Sequence, residues 1–232
     1  MLPCDILLTS VIFAIAGLLD TELLHECIAM TAIAQPLAPP EMAEADLSSH
    51  RVPGNRGIWV GITCEFIEFV VLFIVYFVAR AHFPESFEQG AERLSRLSGT
   101  AITLLMVTSS FFIACSVATM RAGKRQQSIY WLVAGLVVAL GYPVAKYFEI
   151  QWNLAHGING ESGIFFTVYY YLTFNHLVHA TWGILGILWV LARHLVGGYT
   201  IEDHSGLEAL ASYWHATDII WLVIFPFFYV LT

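Results

Sequence analysis

The chain has 232 residues, 58% of them hydrophobic and 12% charged, against about 25% charged in an ordinary soluble domain. That is the composition of an integral membrane protein. A formal charge of -8 with no basic stripe excludes a nucleic-acid partner, and the absence of a Walker loop, GxGxxG or GxSxG excludes phosphate-cradling and nucleophile-elbow chemistry.

Residues 6–19 form an apolar run between Asp5 and Asp20, short for a span that needs roughly 20 residues. Residues 1–4 lack the positive region of a signal peptide. Three readings stay open: an interfacial helix, an extra span, or translation from an upstream start. QPLAPPEMAEADLSSH (35–50) then reads as a disordered acidic linker, which divides the chain into an N-terminal segment (1–50) and a transmembrane domain (51–232).

Five strong spans follow, at 57–80, 98–121, 128–149, 163–193 and 207–231, joined by short polar connections such as RAGKRQQ and HLVGGYTIEDHSG. The expected fold is all-α, a polytopic transmembrane helix bundle with an extra N-terminal helix left open. With the segment before residue 57 inside, that side receives Arg51, Arg56, Arg121, Lys124, Arg125 and Arg193, and the other receives Arg80, Arg93, Arg96 and Lys146. The compact RAGKR loop carries three positive charges and no acid, which places the C-terminus outside.

Polar residues inside these spans need partners, because a charged side chain at the bilayer centre costs about 2.5–3.5 kcal/mol on insertion scales. In the first span, Glu65 and Glu68 lie three residues apart, roughly 60° around a helix and so on one side. A proton relay, an ion site and a buried hydrogen-bond anchor are the alternatives. TLLMVTSSFFIACS in the second span reads as hydroxyls bonding their own backbone or a neighbouring helix, with no nucleophile because no base lies beside them. In the third, Lys146 and Glu149 read as a snorkelling ion pair near the outer interface.

In the fourth span His176 and His179 share a face with Thr173, and Gly183 and Gly186 continue near that stripe, which allows close helix approach. An HxxH pair can hold a metal, but further ligands from other elements are needed, and histidines satisfied within the bundle are the competing reading. The fifth span places Glu208 and His215 nearly in register with Asp218 alongside, while Trp214 and Trp221 fall off that face toward lipid or a partner. One polar seam could unite Glu65, His176, His179, Glu208, His215 and Asp218. Cys4, Cys27, Cys64 and Cys115 form no CxxC or CxxCH and read as buried thiols.

These elements together resemble subunit III of haem-copper oxidases, the cytochrome c oxidase subunit III family. The resemblance is carried by GIWV followed by Glu65, by FFxxYYxLTxxHxxH through His176 and His179 with Gly183 after it, and by LExxxSYWHxxDxxWLxxFPxxY from Glu208 to Tyr229. Within it, RVPGNRGIWV, TLLMVTSSFFIA, KYFE and the FPFFYVL ending are most similar to the short five-helix NorE-type proteins of nitric oxide reductase clusters. It covers residues 51–231.

The resemblance implies an accessory, non-catalytic membrane subunit of a haem-copper oxidase or nitric oxide reductase, in a bacterial inner membrane. It implies no haem, copper or other cofactor of its own, a phospholipid as candidate ligand, and the catalytic subunit and membrane lipids as partners. It implies support of assembly, of proton uptake and of turnover stability. Glu65, His176, His179 and His215 become part of a polar, lipid-associated interior, while Glu68 has no assigned role. The usual Thr-Gly before the first histidine reads Thr173-Phe174-Asn175 here, a bulky residue where tight packing is expected. Two other classes compete: a metal- or haem-binding membrane enzyme using the histidines, and a small proton or ion transporter using Glu65 and Glu68.

Overall fold

In the computed structural model, which describes His25, Ile28, Ala29 and residues 52–231, the long apolar runs are helices because backbone polar groups in lipid must be satisfied within their own segment. The helices are α1 (Arg56–His82), α2 (Pro84–Glu92), α3 (Arg96–Arg121), α4 (Arg125–Ala155), α5 (Ile164–Leu195) and α6 (Ser205–Tyr229). All but α2 are long and apolar enough to cross a membrane. The N-terminal run at 6–19, the linker at 35–50, Cys4 and Cys27 lie outside the described residues.

Local sequence sets several of the ends. Asn55 caps α1 by accepting from the Ile58 amide at 2.9 Å, and the Ser95 hydroxyl caps α3 by accepting from the Ser98 amide at 3.3 Å. Pro84 opens α2 at a position where a missing N–H costs nothing. Phe87 of that short helix packs edge-on against Tyr76 and Phe165, so the α1–α2 corner is fastened to α5.

The expected spans match the helices to within about a turn, except that α4 continues to Ala155, six residues beyond its expected end at 149. The extension has a physical cause. Lys146 and Glu149, expected as an ion pair near the outer interface, are buried within the bundle, so the helix ends later, at the polar HGINGESG connection.

Helices α3, α4, α5 and α6 close a ring in which each touches its two neighbours, and α1 lies against the seam between α5 and α6. Three points hold α1 there. At one end the Gly54 amide donates to Glu208 Oε2 at 3.2 Å, and at the other Tyr76 donates to the Phe227 carbonyl at 2.8 Å and Arg80 to the Leu231 carbonyl at 3.0 Å. In the middle, the Thr217 hydroxyl donates to Glu65 Oε1 at 3.1 Å. Gly54 has φ +75°, and a Cβ there would stand 2.7 Å from the Ala209 backbone, so only glycine brings the chain this close to α6.

The expected close approach along Gly183 and Gly186 is present at the α5–α6 contact. Gly183 faces the Trp214 ring, 2.6 Å from where its Cβ would be, and Gly186 faces Leu210 at 3.3 Å. Trp214 and Trp221 are therefore fully buried rather than turned to lipid or a partner. A glycine groove on one helix admits an indole from the other, and the indole rings then serve as core. Among the described residues the most exposed aromatics lie on α5 instead, at Tyr171, Phe174, Trp182 and Trp189. Phe174 points outward, so its bulk costs nothing in packing.

Candidate functional site

The polar residues do not form one seam. They separate into groups around α6, with Glu208 apart from all the others.

On the α1, α5 and α6 side, Glu65 and Glu68 flank His179. The imidazole Nδ1 is 3.5 Å from Glu65 Oε1 and Nε2 is 3.2 Å from Glu68 Oε2. Asn175, one turn before His179, donates from Nδ2 to Glu68 Oε1 at 2.7 Å. Tyr213 donates to the His179 carbonyl at 3.3 Å. Glu65 is 3% exposed and its Oε2 has no hydrogen-bond partner, whereas the Glu68 side chain is 45% exposed. Both carboxylates share one side of α1 as expected, but they meet opposite environments.

His176 points into the bundle core. The Thr217 carbonyl, 3.1 Å from Nε2, can only accept, so Nε2 carries the proton and Nδ1 accepts from the Tyr142 hydroxyl at 2.9 Å. The ring is enclosed by Phe69, Tyr142 and Trp221. Both nitrogens are thus in use. His176 and His179 share a stripe but not a site, and among the described residues no three His, Cys, Asp or Glu side chains are placed to hold a metal ion.

Next to His176 lies a network that was read from sequence as a snorkelling pair. Lys146 donates to Glu149 Oε2 at 2.8 Å and to the Tyr169 hydroxyl at 3.1 Å. Tyr169 and Tyr229 share a hydrogen bond of 2.9 Å, and Tyr229 donates to Glu149 Oε1 at 2.6 Å. The ammonium also sits over the Tyr169 and Trp221 rings, 5.0 and 5.5 Å from their centroids. Lys146 and Glu149 are each 1% exposed, so the pair is sealed rather than interfacial.

On the opposite side of α6, Ser110 of α3 and His215 are joined by a hydrogen bond of 2.6 Å between Oγ and Nδ1. Asp218 is 5% exposed with Oδ1 unpartnered. A base therefore does lie beside one of the α3 hydroxyls, contrary to the sequence reading; it comes from a helix more than a hundred residues away. The other α3 hydroxyls behave as expected: Ser109 donates to the Gly135 carbonyl and Ser116 to the Ser128 carbonyl, each at 2.9 Å, cross-linking α3 to α4.

Glu208 sits at the start of α6. Its Oε1 accepts from Arg121 at 2.7 Å and lies 3.3 Å from His204, and its Oε2 accepts from Gly54. It is a clamp at the membrane edge. Seven residues separate it from His215, about 10 Å along the axis, which keeps it out of the polar interior although both face the same way. In the adjoining α5–α6 connection, the backbone amide and Thr200 hydroxyl beside Glu202 hold its carboxyl below the usual range.

The expectation of buried thiols fails at both described cysteines. Cys64 is free and exposed on the outer face of α1, and Cys115 is buried but disulfide-bonded.

Sequence reasoning missed Asn175, Thr217, Ser110 and Tyr142 as partners of the marked residues. Asn175 carried a usable signal, since it stands four residues before His179 and so shares its face. The others are supplied across helix contacts.

No protein-family model matches the chain. Among curated proteins it is similar to the probable cytochrome c oxidase subunit 3 of Mycobacterium leprae, 27% identical over 173 residues that cover 75% of this chain and 85% of the relative. It is similar to the cytochrome c oxidase subunit 3 of Synechocystis sp., 28% identical over 205 residues (81% and 84%). A probable quinol oxidase subunit 3 of Staphylococcus saprophyticus is 22% identical over 187 residues (80% and 93%).

Proposed function

From its similarity to subunit 3 of cytochrome c and quinol oxidases, we propose that the chain is a member of the haem-copper oxidase subunit III family and the accessory, non-catalytic membrane subunit of a respiratory oxidase or nitric oxide reductase. The family relation carries this reading. The His176 environment supports it, because a histidine whose two nitrogens are both hydrogen-bonded inside the fold offers no lone pair to a metal or haem.

The finer proposal is that the subunit steadies the catalytic subunit during turnover and supports its proton uptake. It sits in a bacterial inner membrane with the C-terminus outside, as the charges of the RAGKR loop favour. A phospholipid is its candidate ligand. A groove of about 350 Å³ between α4 and α5, lined by Ile150, Tyr170, Tyr171, Phe174 and Leu177, supports this as a seat for an acyl chain. A nitric oxide reductase partner rests on the NorE-type resemblance alone.

The visible spectrum and metal content of the chain, separated from its partner, test the reading. An accessory subunit shows no stoichiometric haem or metal and no proton flux of its own in liposomes. A Soret band or one equivalent of bound metal, lost in the His176→Gln/His179→Gln double variant, would replace it with the enzyme reading.

A further inference from the structure

We propose that the notch formed by Glu68, Asn175 and His179 on the outer face of α1 and α5 receives a transmembrane helix of the catalytic partner, which places a hydrogen-bond-donating side chain against Glu68. This deepens the accessory-subunit reading and depends on it.

The first argument is depth. Glu68 follows Arg56 by twelve residues and precedes His82 by fourteen, roughly 18 and 21 Å along the helix. It is therefore near the bilayer centre, where a short glutamate side chain cannot snorkel to the interface and headgroups, about 15 Å from the midplane, do not reach. Its half-exposed side chain stands in an otherwise apolar stripe of Cys64, Val71, Val75 and Val78, all exposed. Lipid tails offer nothing to a carboxylate.

The second is the proton count. Two short contacts join His179 to the two carboxylates. Filling each with one proton gives two protons shared among two carboxyls and an imidazole, whichever atoms hold them. The group then keeps one negative charge, and among the described residues no lysine or arginine pairs with it. The missing element is a donor or a cation.

The third is what can supply it at that depth. Lipid headgroups are too far away and the surrounding stripe is apolar, so the donor comes from a protein side chain carried on another spanning helix. A second copy of this chain is disfavoured, because a two-fold contact would bring the same acidic notch against itself. The exposed Trp182, on the α5 stripe beside the notch, adds apolar contact area of the kind that anchors an interface.

The test uses the affinity-tagged chain co-expressed with the catalytic subunit of the same respiratory complex. Glu68→Leu removes the acceptor and suits a lipid-facing position, while Glu68→Gln keeps an acceptor. Helix–helix hydrogen bonds in membranes lead us to expect about 3- to 18-fold less catalytic subunit recovered with Glu68→Leu and a smaller loss with Glu68→Gln, at unchanged helix content. A benzophenone maleimide on Cys64, one turn before Glu68, should cross-link to a spanning helix of the catalytic subunit. Full recovery of the partner by Glu68→Leu, or cross-links from Cys64 only to lipid or to a second copy, would overturn the docking site and leave the accessory role standing. Failure of the unaltered chain to bring down any catalytic subunit would overturn both.

Discussion

Among the described residues, two groups pair acids with a base inside this bundle, and they are built on opposite plans. The Lys146–Glu149 network is closed: each charge faces its counterion, two tyrosine hydroxyls complete the circuit, and neither charge is exposed. The Glu65–His179–Glu68 group is open, with two acids to one base and one acid half exposed. The difference teaches that residue type and membrane depth do not by themselves mark a functional site. A satisfied network fixes the fold, whereas an unsatisfied one at the surface has work left for a partner.

The largest expected effect comes from opening the closed network. Lys146→Met or Glu149→Gln alone strands a buried charge or acceptor and should cost about 3–5 kcal/mol. A thermal ramp in mild detergent should show early loss of the folded monomer. The double variant should lose much less than the sum of the two, because neither charge is then left alone. Additive losses would mean that the pair does not act as a unit.

A smaller effect is expected where the structure is tight but not charged. Gly183→Ala puts a methyl against the Trp214 ring and should cost about 1–3 kcal/mol by overpacking, read in the same thermal ramp. No loss would show that α5 and α6 are further apart than described. Arg121→Ala comes next at about 1 kcal/mol or less, because half of the Arg121 side chain is exposed and such pairs are screened. Its effect should shrink further in high salt.

The open group should behave differently from both. Glu65→Gln keeps the shape and the hydrogen bond from Thr217, so partner recovery should stay near that of the unaltered chain with a modest fall in turnover. Abolished turnover with normal assembly would put Glu65 on an obligatory proton path and sink the accessory reading.

Much of this was legible in sequence because hydrophobic run length fixes a span with little help from tertiary contacts. The five helices fell where expected, and the family resemblance rested on motifs that lie on α1, α5 and α6. The site was harder to read for a physical reason. Helical spacing tells which residues of one helix share a face, as it did for Glu65 with Glu68 and for Gly183 with Gly186. It does not tell which face of the next helix they meet. Hence Ser110 gained a base from α6, and Trp214 and Trp221 turned inward against a glycine groove and a lysine. Lys146 and Glu149 were misplaced because a charged pair at the end of an apolar run suits the outer interface, whereas these charges neutralise each other inside.

The central claim is that this chain works as an accessory to a catalytic oxidoreductase subunit. Affinity purification of the tagged chain in mild detergent, from membranes that contain its candidate partners, tests it most directly. The account predicts recovery with a haem-bearing catalytic subunit in fixed proportion, with the haem remaining on that subunit when the two are separated. Recovery of the chain alone from membranes that retain an intact catalytic subunit, or with haem or metal on the chain itself, would contradict it.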